Sequence, residues 1–541
     1  LLERLGSAIS HALVGVAADG EQQPGHAIPN AGSATSPRHE GSVLVDVRSL
    51  ARIRLNSRAC QSGAAMANQS NPKLARVVAA LARRGLDVSR SGDVWSLRQS
   101  GRADLPPAEV LLPEGFRLSS RAAEQLARFA AASHPEGGRV VEARGTPDFH
   151  AGSRVPVGAV VATSGELVIP EAIGTDINCG MRLHGIELEL DTFMAGKAQL
   201  VERLRGDLLL GTRDLPMPGD AMHALFEAGA PAWLDALRGH DKQRLGQLAA
   251  SDLAQLEGEL ERSFELGSFS GAARWAPPGL MDREWLRDPC LATPGGGNHF
   301  VELQVVEAIL DGATAHAWGL RRGQLAMMVH SGSRSVGVAI GDHWSRLARE
   351  QWPVGLAHPE SGVFTLQGEA AHSYLEAMSC AANYAAVNRL LLAELVRLRL
   401  RECFGELAAP LVWDGSHNLV SREQGLLVHR KGATPAHAGQ PVLIPGSMGQ
   451  ASFLMVGLGN DAWLRSASHG AGRELSRARA RSMPERDLGL AEVECITLHR
   501  ERLREEAPAA YKAIAPVIDV QVEAGIVAPV ARLRPLLTFK A

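Results

Sequence analysis

Lysine is almost missing from this chain of 541 residues. It supplies six of the 56 basic side chains, and arginine supplies the rest. The formal net charge of −3 excludes a protein that coats nucleic acid through a uniformly basic surface, so any contact with phosphates has to be local. The densest basic clusters run from Arg473 to Arg486 and from Arg532 to Lys540. Arginine suits bidentate phosphate contacts, although a compositional bias produces the same preference without any function. Cysteine is scarce too. Its six positions (60, 179, 290, 380, 403 and 495) are scattered, which argues against a secreted disulfide framework and fits a reducing cytoplasm. No apolar run approaches the roughly 18–20 residues of a membrane helix, so no membrane association is expected. The mildly apolar stretch Ala8–Ala18 is short and broken by His11, against a signal peptide. No Walker loop, internal repeat or low-complexity body is present.

What is there is an ordinary globular composition, 45% hydrophobic and 21% charged. Residues 1–65 are turn-rich and polar, and are expected to be a disordered extension or to precede a true start at Met66. Residues 66–135 resemble a small α+β segment: an amphipathic helix through Leu74, Val77, Val78 and Leu81, a hairpin near Arg90–Asp93, and a helix over 120–132. From Arg139 the texture changes to short β-branched runs (155–163, 182–190, 324–330, 441–444, 452–457) ending in glycine-rich turns. Helical stretches at 194–208, 344–351, 373–401 and 462–481 alternate with them. This pattern predicts an α/β or α+β body over 136–541, with chemistry at strand ends.

Several polar side chains sit at such ends. Asp176 and Cys179 lie three apart on a glycine-bounded turn, although a lone cysteine is more often a small buried apolar residue. His299 follows three glycines, and strict alternation would put it on one strand face with Val301 and Leu303, opposite Asn298, Phe300 and Glu302. His330 and His417 each close an apolar strand that runs into a polar turn. His469 sits in Ser468-His-Gly-Ala-Gly-Arg473. Singly, each histidine reads equally well as a satisfied core residue; together they make a dispersed carboxylate, thiolate and imidazole set, and donor softness alone names zinc first. His429-Arg-Lys-Gly-Ala-Thr434 and the turn from Pro441 to Ser452 could cradle a phosphate or a base, or be ordinary turns.

These segments together resemble the RtcB family of RNA ligases. The resemblance is carried by Pro147-Asp-Phe-His150, Asp176-Ile-Asn-Cys-Gly-Met-Arg182, Gly297-Asn-His-Phe-Val-Glu302, His330-Ser-Gly-Ser-Arg334, Ala381-Ala-Asn-Tyr-Ala385, Ser416-His-Asn418, Arg430-Lys-Gly-Ala-Thr434, Pro445-Gly-Ser-Met-Gly449 and His469-Gly-Ala-Gly-Arg473. It implies central mixed β-sheets flanked by helices around a metal-lined cleft. It also implies two Mn²⁺ ions held by Asp176, Cys179, His299, His330 and His417, with His469 as the nucleophile toward GTP. Asn298, Glu302, Arg334, Pro445, Gly446, Ser447, Met448, Ser452, Gly470, Ala471, Gly472, Tyr511 and Lys540 would hold the nucleotide. The implied partners are RNA ends bearing a 3'-phosphate or 2',3'-cyclic phosphate and a 5'-hydroxyl. Departures at Ala151–Gly158, Thr175 and Asp414-Gly415 suggest a paralogous branch and leave the natural RNA open. Two rivals stand beside this reading, a metal-dependent cyclic-phosphate hydrolase and a noncatalytic RNA-binding subunit.

Overall fold

The β-branched runs of the sequence become strands, and the strands collect into two large sheets. The computed structural model describes residues 72–490 and 494–541, so the expectation for residues 1–65 lies outside the described residues. The first sheet has the order Leu86–Ser91, Val94–Gln99, Ala108–Leu111, Arg139–His150, Val157–Ser164, Leu426–Lys431, Asn418–Glu423. Its first two strands form the expected hairpin, closing with Ser91 opposite Val94. The second sheet runs Leu411–Ser416, Gly180–Ile186, Leu325–Ser331, Phe300–Ile309, Val527–Lys540, Ser452–Gly457, Pro441–Ile444, with Cys495–Thr497 beside Val527–Lys540. Parallel pairs at Ala108–Leu111 with Arg139–His150 and at Cys495–Thr497 with Val527–Lys540 make both sheets mixed. Helices flank them, giving the expected α/β architecture.

Register in the second sheet brings dispersed polar residues to one place. Gly180 pairs with both Ser331 and Ser416, and His330 pairs with Phe300. Cys179 therefore enters its strand, His299 enters the next-but-one, and His330 and His417 leave theirs, all at one end of four adjacent strands. Strand ends are where a rigid scaffold exposes side chains for chemistry.

Behind those strands lies the helix Gly368–Phe404, buried on every face from Ala377 to Leu398. A helix apolar all round is a core helix, and its buried charges are paired. Arg389 and Arg182 share Asp414 at 2.8 and 3.1 Å, while Arg182 and Arg397 share Glu259 at 3.0 and 2.5 Å. The helix expected over 462–481 is not formed. Ser466–Ser468 is instead a strand paired with Ala433–Pro435, and a short helix begins only at Arg477. Gly472 between them has φ of 74°, a conformation glycine supplies and a helix cannot use. Among the described residues the cysteines are all unpaired, and no helix is long and apolar enough to cross a membrane.

Candidate active site

Five side chains that span 241 positions of sequence meet at the shared strand end. The Cys179 Sγ lies 3.2 Å from His299 Nε2 and 3.2 Å from His330 Nε2. His299 Nε2 also faces Asp176 Oδ2 at 3.0 Å, and His330 Nε2 faces His417 Nε2 at 3.2 Å. Local bonds hold the turns that deliver them. Asn178 takes a left-handed backbone (φ 51°) and donates its amide to Ala382 O at 2.7 Å. Asn418 donates its amide to Asp176 O at 2.9 Å and accepts from the Gly432 N–H at 2.7 Å. Gly332 leaves room for Asp176, since a Cβ there would stand 2.2 Å from Asp176 Oδ1. The strand starts at Phe300, one residue after His299: Asn298, Phe300 and Glu302 line one cleft, as the alternation expects, while Val301 and Leu303 enter a hydrophobic core and the His299 ring packs edge-on to His330 at 5.1 Å.

Hydrogen bonding alone does not satisfy this cluster. Each Nε2 has at most one proton, yet those of His299 and His330 each face two partners. Burial and the neighbouring His417 and His299 rings push His330 well below the ordinary histidine range, and burial with His469 does the same to His417. Both imidazoles are therefore neutral, the form that binds metals. Donors around a tetrahedral ion with 2.0–2.3 Å bonds stand roughly 3.3–3.6 Å apart, close to the spacing found. The chain could hold a cation here through Cys179, His299 and His330, whose donor atoms lie within 4.8 Å of one another, with Asp176 and His417 alongside.

Asp176, Cys179, His330 and His417 line a cleft of about 420 Å³. Asn298, Glu302, Pro445, Gly446, Ser447, Met448, Gly470, Ala471, Gly472, Tyr511 and Lys540 all line it. The Ser447 Oγ is buried there without a partner among the described residues. Glu302 accepts from Thr538 and from Gln304, and burial raises its pKa. Lys540 donates to His299 O at 3.1 Å, and Tyr511 donates to Glu506. Three predicted residues lie off the lining, His299 among them. Arg334 donates to Thr293 Oγ1 at 3.0 Å beneath Gly295, and Ser452 is buried, accepting from Gln304 at 3.0 Å.

His469 stands beside the cluster, its ring 4.9 Å from that of His417. Its Nδ1 is 2.5 Å from Asp148 Oδ2. Burial opposes the charge on Asp148, but the His469 ring, the Thr146 hydroxyl and Lys512 outweigh it and hold the carboxyl below its usual range. An ionised Asp148 accepts the Nδ1 proton and leaves the lone pair on Nε2.

The family model described as tRNA-splicing ligase RtcB matches residues 125–541. The chain belongs to the RtcB family. It is 32% identical over 437 residues to the tRNA-splicing ligase RtcB of Nanoarchaeum equitans, covering 73% of this chain and 87% of that one. The RNA-splicing ligase RtcB of Mycobacterium tuberculosis is 33% identical over 437 residues, covering 72% and 94%. The tRNA-splicing ligase RtcB of Thermococcus kodakarensis is 33% identical over 431 residues, covering 72% and 86%.

Within this RtcB-family site, the sequence reading assigned no role to three residues. Asp148, on the strand Arg139–His150, meets His469 across 321 positions. Lys512 binds the backbone on either side of Asp148, and Lys431 lines the cleft near Asp176, its pKa lowered by burial to about 8. For the two lysines the signal available was scarcity, since the chain has few lysines among its basic residues, although scarcity does not single them out from Lys197 and Lys242, which lie at the surface.

Proposed function

We propose that this chain is a GTP- and Mn²⁺-dependent RNA ligase, acting in the cytoplasm in RNA repair or tRNA splicing. It joins RNA 3'-phosphate or 2',3'-cyclic phosphate ends to 5'-hydroxyl ends. Membership of the RtcB family supports RNA as the substrate. The observation that carries the mechanism is the pairing of His469 Nδ1 with buried Asp148, beside a cluster of metal-type donors.

A divalent cation bound by Asp176, Cys179, His299, His330 and His417 would polarise phosphoryl oxygens and neutralise charge on entering and leaving groups. His469, held as the Nδ1–H tautomer, directs Nε2 at the α-phosphorus of GTP. An N–P bond forms, the α–β P–O bond breaks, and pyrophosphate leaves. The RNA 3'-phosphate oxygen then displaces His469 from the GMP phosphorus. Last, the 5'-hydroxyl oxygen attacks the 3'-phosphorus, losing its proton and releasing GMP. A cyclic phosphate end is first opened by water to the 3'-phosphate. Asn298, Glu302, Ser447 and Lys540 serve the nucleotide from the cleft wall, and the unpaired Ser447 hydroxyl is free to bind it.

Incubation with labelled GTP and Mn²⁺ is expected to yield an acid-labile protein–GMP adduct, absent in His469→Ala. An adduct that persists in that variant removes His469 as nucleophile. Opening of cyclic phosphates with no adduct and no ligation would favour the hydrolase reading.

A further inference from the structure

Lys512 lies behind the cleft wall, 6% exposed. Its Nζ donates to Pro147 O at 2.9 Å and to Phe149 O at 2.7 Å, the carbonyls of the two residues flanking Asp148. Its backbone N–H donates to Gly472 O at 3.0 Å, three residues beyond His469. Gly472 presses on Asp148 so closely that a Cβ there would stand 2.2 Å from the Asp148 carbonyl oxygen. One residue therefore ties the strand end that carries Asp148 to the turn that carries His469. The ammonium rests over the Phe116 ring, 5.5 Å from its centre, and has no carboxylate hydrogen-bonded to it among the described residues.

Two buried carbonyls converging on one point suit a compact donor with several protons, which ammonium provides. The same charge works on the aspartate between them. A carboxylate as buried as Asp148 favours its neutral form unless a cation stands nearby, and a protonated Asp148 would no longer accept cleanly from Nδ1. Burial pushes Lys512 itself down to about 8, with Asp148 acting against that shift.

We propose that Lys512 is a positioning residue for His469, fixing the Pro147–Phe149 strand end so that the Asp148 carboxylate holds the imidazole as its Nδ1–H tautomer. This rests on the reading of His469 as nucleophile for its catalytic meaning, but its structural content is independent of it.

The test uses the full chain, metal-free, with ¹⁵N-labelled histidine. The His469 ring signals are assigned by their loss in His469→Gln. The parent is expected to show the Nδ1–H tautomer, and Lys512→Met to shift His469 toward Nε2–H. With Mn²⁺ and GTP restored, Lys512→Met is expected to form the GMP adduct at least about tenfold more slowly, a loss of about 1.4 kcal/mol in barrier terms. The KM for GTP and the metal content are expected to change less than twofold. A purely structural lysine would lower the melting temperature and leave tautomer and adduct rate in place, and that result overturns the proposal. Lys512→Gln, which keeps a donor but no charge, is read in the same way if Lys512→Met does not fold. Failure of both to fold also counts against it, since the residue then serves the whole fold. Because the tautomer is read without GTP, a parent that shows Nδ1–H but forms no adduct refutes the ligase chemistry and leaves this arrangement standing.

Discussion

Asp148→Asn isolates the interaction on which the proposed nucleophile depends. The substitution keeps the volume of the side chain and replaces a carboxylate that is fully buried, 2.5 Å from His469 Nδ1 and 2.5 Å from the Thr146 hydroxyl. A hydrogen bond to a charged group contributes about 1.5–3 kcal/mol, which at 1.36 kcal/mol per decade is roughly 10- to 150-fold in rate. The amide can also present its NH₂ to Nδ1, which moves the ring proton to Nε2 and removes the attacking lone pair. In the serine-protease triad the equivalent exchange costs about 10⁴. The expected loss is therefore between about 10-fold and 10⁴-fold in the rate of GMP transfer to the protein, measured by rapid quench with labelled GTP at saturating Mn²⁺. Metal content should stay at the parent value, since the donor cluster is untouched. Labelling within about threefold of the parent, at equal metal content, would refute the assignment of Asp148 as the group that sets the His469 tautomer.

Three further outcomes are expected. Gly332→Ala places a methyl 2.2 Å from Asp176 Oδ1 and 3.2 Å from the Cys179 Cα; overpacking of about 1–3 kcal/mol should displace Asp176 and weaken metal binding at least about tenfold by calorimetric titration. Cys179→Ala removes the donor shared by His299 and His330 and should reduce bound metal per chain, measured by elemental analysis; unchanged stoichiometry and affinity would dismantle the cluster. Acid should destabilise the fold through His429. Its Nε2 accepts from the Ile169 N–H at 3.1 Å and burial lowers its pKa to about 4. A depressed folded-state value means the unfolded chain binds the extra proton, so this contribution is complete above pH ~6.5 and is lost as pH falls toward ~4, amounting to about 3 kcal/mol. His429→Gln should flatten the denaturant midpoint across that window.

Much of the site was legible because its ligands stand at strand ends. Cys179, His330 and His417 each adjoin an apolar run next to a polar, glycine-bearing turn, and the resemblance to RtcB proteins grouped them before any coordinates did. The helix expected over 462–481 was misread for a local reason: its residues have helical propensity, but Gly470 and Gly472 and pairing with Ala433–Pro435 override it. Alternation placed Asn298, Phe300 and Glu302 together on the cleft although the strand itself begins only at Phe300. Arg334 and Ser452 belong to the same motifs as lining residues, yet they bond Thr293 and Gln304 and do not line the cleft.

The sequence alone determined most of the element types, the alternation of strands and helices, and the identity of the candidate donor atoms, since these depend on local propensity, periodicity and residue chemistry. Tertiary structure decided the rest: the common strand end where donors 241 positions apart meet, the contact of Asp148 with His469 across 321 positions, and the Lys512 brace behind both. Those arise from sheet register and close packing. Both are set by interactions summed over the whole chain, and no short stretch of residues encodes them.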